Sequence, residues 1–330
     1  MEKIAVPCES PVLLVIWNRP EETQKVLESL RVAQPARLYV AADGPRNEAE
    51  EALVHATREL AISMVDWPCE IFTNFAESNA GCRLGVSRAI DWFFRHETAG
   101  IILEDDCVPH EDFYRFCSEL LTRYRDDDRI MAIAGDNTAA VSIEQDWSYC
   151  FVRYPHIWGW ATWRRAWLHY DRDLDEWGRF RSSGQLADLF PDRIQRETWV
   201  HLLNRLLDEG VPDTWAWRWS ATIMMRGGLC VQPVTNLVSN IGFNERATHT
   251  RSRSTRADAP AEKIYPLRHP PVAFPHLDAE RQIFVNTQAG LHPWKRKRKW
   301  KKRFVRGKIE LYRVAQRLGL RPSSRSSAPR

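Results

Sequence analysis

The chain has 330 residues, 44% of them hydrophobic, enough for a sizeable core in one large α/β domain or two subdomains and too many for wholesale disorder. Its formal net charge of +4 is unevenly spread: nine of the 47 Lys and Arg residues fall within 294–306, where there is no acid, leaving 38 basic against 43 acidic residues elsewhere. An acidic body speaks against nucleic-acid binding, and the basic tail reads as an electrostatic contact. The seven cysteines are scattered, with no C-x-x-C and no Cys/His cluster, so neither a zinc ribbon nor a disulfide framework is expected, and a reducing, cytoplasmic setting fits best.

Short apolar runs recur along the first half at 12–17, 38–42, 70–74, 100–103 and 130–134, with amphipathic stretches between them. Unbroken runs suit parallel strands covered on both faces, and the spacing is that of β-α units. The intervening helices carry their own signals. Pro20, Glu21 and Glu22 make a first turn before Val26, Leu27 and Leu30. Val86, Ala89, Ile90, Phe93 and Phe94 share one helical face, as do Phe113, Phe116, Cys117, Leu120 and Leu121. Residues 11–135 therefore predict an open α/β sheet whose ligand sits at the carboxyl ends of the strands. Polar groups follow those ends: Asn18 and Arg19, then Asp43, then Asn79 with Arg83 and Arg88, then Glu104, Asp105 and Asp106. The sequence contains no G-x-G-x-x-G, P-loop, G-x-S-x-G or H-E-x-x-H pattern.

Past residue 140 the rhythm gives way to aromatic loops and helices, and ten of the fifteen tryptophans lie between Trp147 and Trp219. A helix is expected over 193–208 with Ile194, Trp199 and Leu202 inward, followed by a strand over 229–232. Trp160, Trp163 and Trp167 fit a shared helical face, with Trp163 and Trp167 read as core. Residues 250–292 read as irregular. The tail from Trp294 suits an anionic membrane surface, and a solvated extension is the alternative. The early apolar run of six residues is too short for a membrane span or a signal-peptide core.

The acidic triplet at the end of an apolar run is the sharpest local feature. Adjacent carboxylates raise one another's pKa unless a cation sits between them, and oxygen-only ligands favour Mn²⁺ or Mg²⁺. A solvated acidic turn before Pro109 is the bland alternative.

The motifs Trp17-Asn18-Arg19-Pro20, Ala42-Asp43-Gly44-Pro45, Asn79-Ala80-Gly81-Cys82-Arg83 and Leu103-Glu104-Asp105-Asp106, together with the aromatic stretch 154–167, Asn236 to Gly242 and Ala247 to Thr250, resemble GT-A-fold glycosyltransferases, in particular bacterial relatives of N-acetylglucosaminyltransferase I. The resemblance covers about 11–250. It implies a single large α/β domain with an open mixed sheet flanked by helices. The Rossmann-like half over 1–140 would bind the nucleotide sugar, and an aromatic-rich half over 141–250 would bind the acceptor. An irregular segment over 251–292 and a basic tail over 293–330 would follow. By the same resemblance Asn18, Arg19 and Asp43 would hold the uracil, Arg83 the diphosphate and Asp105 the ribose, with Glu104 toward the donor sugar. Asp106 would ligate Mn²⁺ or Mg²⁺, with His249 near the metal. Asp213 would be the catalytic base, although many relatives carry an Asp three residues later, where this chain has Ala216. Asp136 is the next candidate for the base. Trp158, Trp160 and Trp215 are candidate platforms for the acceptor.

The expected activity is metal-dependent, inverting transfer from a UDP-sugar to a glycan or lipid-linked acceptor, in the cytoplasm and peripheral to a membrane, without nucleic acid as partner. The alternatives are a sugar-1-phosphate nucleotidylyltransferase, which would need a Gly/Arg/Lys-rich loop after the first strand, and a non-catalytic membrane- or nucleic-acid-binding protein acting through the basic tail.

Overall fold

A computed structural model of the chain describes residues 8–210, 214–243 and 259–288. The first strand, β1 (Val12–Ile16), is an unbroken aliphatic run. Val12, Leu14 and Ile16 enter one core and Leu13 the other, as the two-residue period of a strand requires. α1 (Pro20–Ala33) opens on a proline whose fixed φ and missing N–H suit the first helical turn. Gln34, at φ 46°, ends it. β2 (Arg37–Ala42), α2 (Glu48–Ser63), β3 (Glu70–Phe75), α3 (Gly81–His96) and β4 (Ala99–Glu104) continue the expected rhythm. β1 pairs in parallel with β2 and β4, and β2 with β3. β3 departs from the expectation of burial on both faces. It ends the sheet, and Glu70, Thr73 and Asn74 are exposed.

A short strand, β5 (Cys107–Pro109), and α4 (Glu111–Arg123) lead to β6 (Ile130–Ala134). The later chain adds β7 (Tyr149–Val152), β8 (Trp160–Trp163), α5 (Arg164–Trp167), α6 (Trp177–Ser182), α7 (Gln185–Leu189), α8 (Arg193–Glu209), α9 (Trp215–Met225), β9 (Leu229–Pro233) and β10 (Val238–Asn240). The result is one mixed eight-stranded sheet, β3-β2-β1-β4-β8-β6-β9-β7, beside a two-stranded ribbon of β5 and β10. β8 runs antiparallel to both β4 and β6, so the two stretches of chain on either side of residue 140 interleave in one sheet. One face carries α1 and α4, and the other carries α3, α8, α9 and the tryptophan cluster. The expected open mixed α/β sheet flanked by helices is what the chain forms.

Three expectations need correction. Trp160 and Trp163 lie in a strand rather than a helix, because β4 and β6 offer backbone partners on both sides of this segment. Both are nevertheless buried, as is Trp167. Ile194 is 53% exposed, since α8 packs through Thr198, Trp199, Leu203 and Leu206. Within the segment expected to be irregular, α10 (Leu277–Ile283) and a π-helical turn (Phe284–Gln288) are ordered by a buried ion pair between Glu280 and Arg153 next to β7.

Candidate functional site

The chain runs from β1 outward to β3 and returns to β4 on the other side of β1, so the strand order reverses between β1 and β4. Open α/β sheets bind ligands in the crevice at such a reversal, beyond the carboxyl ends of the strands. A cleft of about 970 Å³ lies there. It is lined by the ends of all four parallel strands, namely Trp17 and Arg19, Asp43, Asn79 and the Glu104–Asp106 triplet, and by the first turns of α3 and α9.

The carboxylates are tied to neighbours in a defined way. Arg19 Nη1 donates to Asp106 Oδ2 at 2.9 Å and to Asp105 Oδ1 at 3.3 Å, and the backbone N–H of Trp17 donates to Asp105 Oδ2 at 3.2 Å. Arg19 and Asp105 are 8% and 7% exposed, so this is a largely desolvated ion triad. Desolvation pushes the Asp105 carboxyl up, against the opposing pull of Arg19, with Asp106 adding to the rise. Desolvation, then Asp106 and Asp105, push Glu104 up to about 8, with Arg19 opposing.

Asp106 is also held from the ribbon. Its carbonyl accepts from the Ile241 N–H at 2.9 Å, and Asn240 Nδ2 donates to its Oδ1 at 3.4 Å. Gly242 lies so close that a Cβ there would fall 2.0 Å from Asp106 Oδ2, which leaves room for glycine alone.

Asp43, at the end of β2, is fixed in the cleft wall by backbone donors. Its carboxylate accepts the N–H groups of Gly44, Ala80 and Gly81 at 2.9–3.1 Å, closing the start of α3. Gly44 is needed because a Cβ would meet the Ser78 backbone at 2.5 Å. The Gly44 carbonyl in turn accepts from Trp17 Nε1 and Asn79 Nδ2, each at 2.9 Å, and the Arg46 guanidinium lies 4.4 Å over the Trp17 ring.

The cleft therefore gathers Arg19, Asp43, Glu104, Asp105, Asp106, Trp158 and Trp215 among the expected site residues. Asn18 and Arg83 are not among its lining residues. Arg83 lies 3.6 Å from Asp173, and it is the exposed Arg88, further along α3, that lines the cleft. Trp160 and Trp215 are both corrected as acceptor platforms: each is buried and they stack on one another at 5.5 Å, so neither offers an open face to a sugar, although Trp215 touches the cleft wall. Trp158 is half-buried at the cleft with Phe243 against it. Asp213 and His249 lie outside the described residues, and Thr214, the chain neighbour of Asp213, lines the cleft and caps α9 through its hydroxyl. Asp136 is buried and accepts from Thr138 Oγ1 at 2.8 Å and the Trp158 N–H at 3.3 Å, and it pairs with His156 Nδ1 at 3.0 Å. It braces the loop that presents Trp158, and it is not among the lining residues. Trp217, Arg46 and Asn240 line the cleft without having been singled out. Asn240 was within reach, since it sits inside the Asn236-to-Gly242 motif.

One oxygen of each of the adjacent carboxylates Asp105 and Asp106 converges on a single cationic nitrogen, and carboxylate oxygens are the ligand type that hard dications take. Among the described residues no group of three or more His, Cys, Asp or Glu could hold a metal ion by itself. A dication here would thus need further oxygens from a ligand or water. No helix among the described residues is long and apolar enough to cross a membrane.

Fold and site together define an open mixed α/β protein with an acidic, arginine-bearing cleft at the strand-order reversal. No family model matches the chain, and no curated protein matches it. Among solved structures it is similar to a cytidylyltransferase from Leptospira borgpetersenii serovar Hardjo-bovis, at 11% identity and a TM-score of 0.31 over 49% of this chain and 63% of that one. It is also similar to a UDP-glucose pyrophosphorylase complexed with UDP-glucose, at 8% identity and 0.27 over 44% and 63%. A third is mouse xyloside xylosyltransferase 1 in its apo form, at 10% identity and 0.35 over 66% and 81%. The chain spans less than two thirds of the length of the first two, and likeness of this size says nothing of activity.

Proposed function

We propose that the chain is a glycosyltransferase of the GT-A type that takes a UDP-sugar in this cleft and transfers the sugar, with inversion and with Mn²⁺ or Mg²⁺, to a glycan or lipid-linked acceptor. The observation that carries the reading is the convergence of Asp105, Asp106 and Arg19 at the reversal between β1 and β4, on the same edge as Asp43 and Arg88. The motifs that resemble the family supply the choice of donor.

Asp106, with Asp105 beside it, would hold the dication. When bound it would neutralise charge on the donor diphosphate as the leaving group departs. Arg88 on the cleft wall, and Arg19 once released from one carboxylate, supply fixed positive charge where negative charge develops. Such preorganised donors are worth about 3–4 kcal/mol each in a water-poor site. Arg19 and Asp105 on the floor are buried, and the ribbon holds Asp106 from one side. Trp158 and Trp217 offer indole surface at the wall for the apolar face of an acceptor sugar. Asp213, ahead of α9, would take the acceptor proton.

The test is the melting temperature of the full chain with UDP and Mn²⁺. A rise in the wild type that Asp106→Ala abolishes supports the donor site, whereas no rise with any nucleoside diphosphate overturns it. Screening UDP-, GDP- and dTDP-sugars for metal-dependent hydrolysis identifies the donor without knowledge of the acceptor. Release of pyrophosphate in place of the nucleoside diphosphate would move the reading to a nucleotidylyltransferase.

A further inference from the structure

The guanidinium of Arg19 stands where a cation between Asp105 and Asp106 would have to stand. One nitrogen, Nη1, bonds both carboxylates, and the buried Glu22 adds a third negative charge near enough to act on the group. Arg19 cannot turn to bulk water at no cost, since it is 8% exposed and its position is fixed from the first residues beyond β1. A buried guanidinium that loses its partners is strongly unfavourable.

Charge arithmetic sharpens the point. Asp105, Asp106 and Arg19 together carry one negative charge. A dication entering alone turns that into one positive charge and forces Arg19 off at least one carboxylate. A dication entering with the diphosphate of a nucleotide sugar, which brings two negative charges, restores the original balance, and free UDP, with about three near neutral pH, more than restores it; either gives the displaced guanidinium oxygens to bond.

We propose that Arg19 is a built-in counter-ion that keeps the position between Asp105 and Asp106 until a nucleoside diphosphate arrives, so that dication and donor bind as one unit and neither binds well alone. This rests on the proposed donor site. It adds that the coupling between metal and donor is set by an arginine that the metal displaces, and that the arginine becomes a diphosphate ligand in the same step.

Binding of Mn²⁺ to the full chain, read from the loss of the free aqueous Mn²⁺ electron-paramagnetic-resonance signal and corrected for Mn²⁺ held by UDP itself, tests this without any turnover. In the wild type, UDP should tighten Mn²⁺ binding by about 100-fold, and by reciprocity Mn²⁺ should tighten UDP by the same factor. In Arg19→Gln, Mn²⁺ alone should bind about tenfold or more tighter than to the wild type, and the coupling should shrink accordingly. Arg19→Lys, which keeps the charge, should still exclude Mn²⁺ in the absence of UDP.

Tight Mn²⁺ binding to the wild type without UDP overturns the proposal with no variant needed. So does Arg19→Gln, folded by its circular dichroism, binding Mn²⁺ no better than the wild type does. If UDP and Mn²⁺ together fail to bind the wild type, it is the donor site itself that falls.

Discussion

Glu104 ends β4 with its carboxyl beside those of Asp105 and Asp106, opposed only partly by Arg19, and these together with desolvation hold it protonated up to about pH 8. In the unfolded chain the same group titrates near its ordinary value of 4.5. Between those two values the folded state binds the extra proton. Stability from this group is therefore complete below the unfolded value and falls as pH rises toward 8. Glu104→Gln removes the titration while keeping the shape. In chelator-treated protein the variant should match the wild type at pH 4 and exceed it by about 1–3 kcal/mol at pH 8.5. Thermal melts across that range check it, at roughly 2–4 °C per kcal/mol for a chain of this size or somewhat less. A difference between the two proteins that stays constant with pH would mean that Glu104 ionises normally in the fold.

The β5–β10 ribbon is the element that aims the last carboxylate of the triplet. Asn240 and the Ile241 N–H hold Asp106 from one side, and Gly242 leaves its Oδ2 the space it needs. Gly242→Ala puts a methyl group 2.0 Å from that oxygen and must push Asp106 or the ribbon aside. The expected result is at least about a tenfold loss of UDP–Mn²⁺ affinity by calorimetry, the scale on which supporting residues act at metal sites, with a melting temperature close to wild type. Unchanged affinity would show that the position of Asp106 does not matter to the ligand.

At this scale the sequence was an uneven guide. The runs that became β1, β2 and β4 and the faces of α1, α3 and α4 were readable because each is set by local periodicity. The strand β8 was not, because Trp160, Trp163 and Trp167 also fit a helical face, and only the edges of β4 and β6 decide in favour of a strand. Ile194 was misplaced for a geometric reason: five residues before Trp199, it lies about 140° away around α8. The cleft acids and Arg19 were legible as strand-end residues. Their mutual pairing was not, because it depends on how close β1 and β4 bring side chains 86 residues apart.

Over the whole molecule, β8 is the piece that joins the two stretches of chain. It takes Ile101 and Ile102 of β4 as partners on one side and Ile133 and Ala134 of β6 on the other. Neither neighbour could be left as an open edge without exposing a row of unpaired backbone groups beside an aliphatic surface. Trp160 of β8, Trp167 of α5 and Trp215 and Trp219 of α9 then pack together across the face that also holds α3, so the core of the later chain is built on the sheet of the earlier one. The two stretches should consequently lose structure together. Because ten of the fifteen tryptophans lie between Trp147 and Trp219, intrinsic fluorescence reports chiefly on the later stretch, while far-ultraviolet circular dichroism reports on all helices and strands. Urea unfolding followed by both should give coincident midpoints, which is the usual sign of one cooperative unit. A fluorescence transition completed at lower urea than the dichroism would mean that the aromatic face detaches as a unit while β1 to β4 remain folded, and β8 would then not be the tie that its place in the sheet makes it.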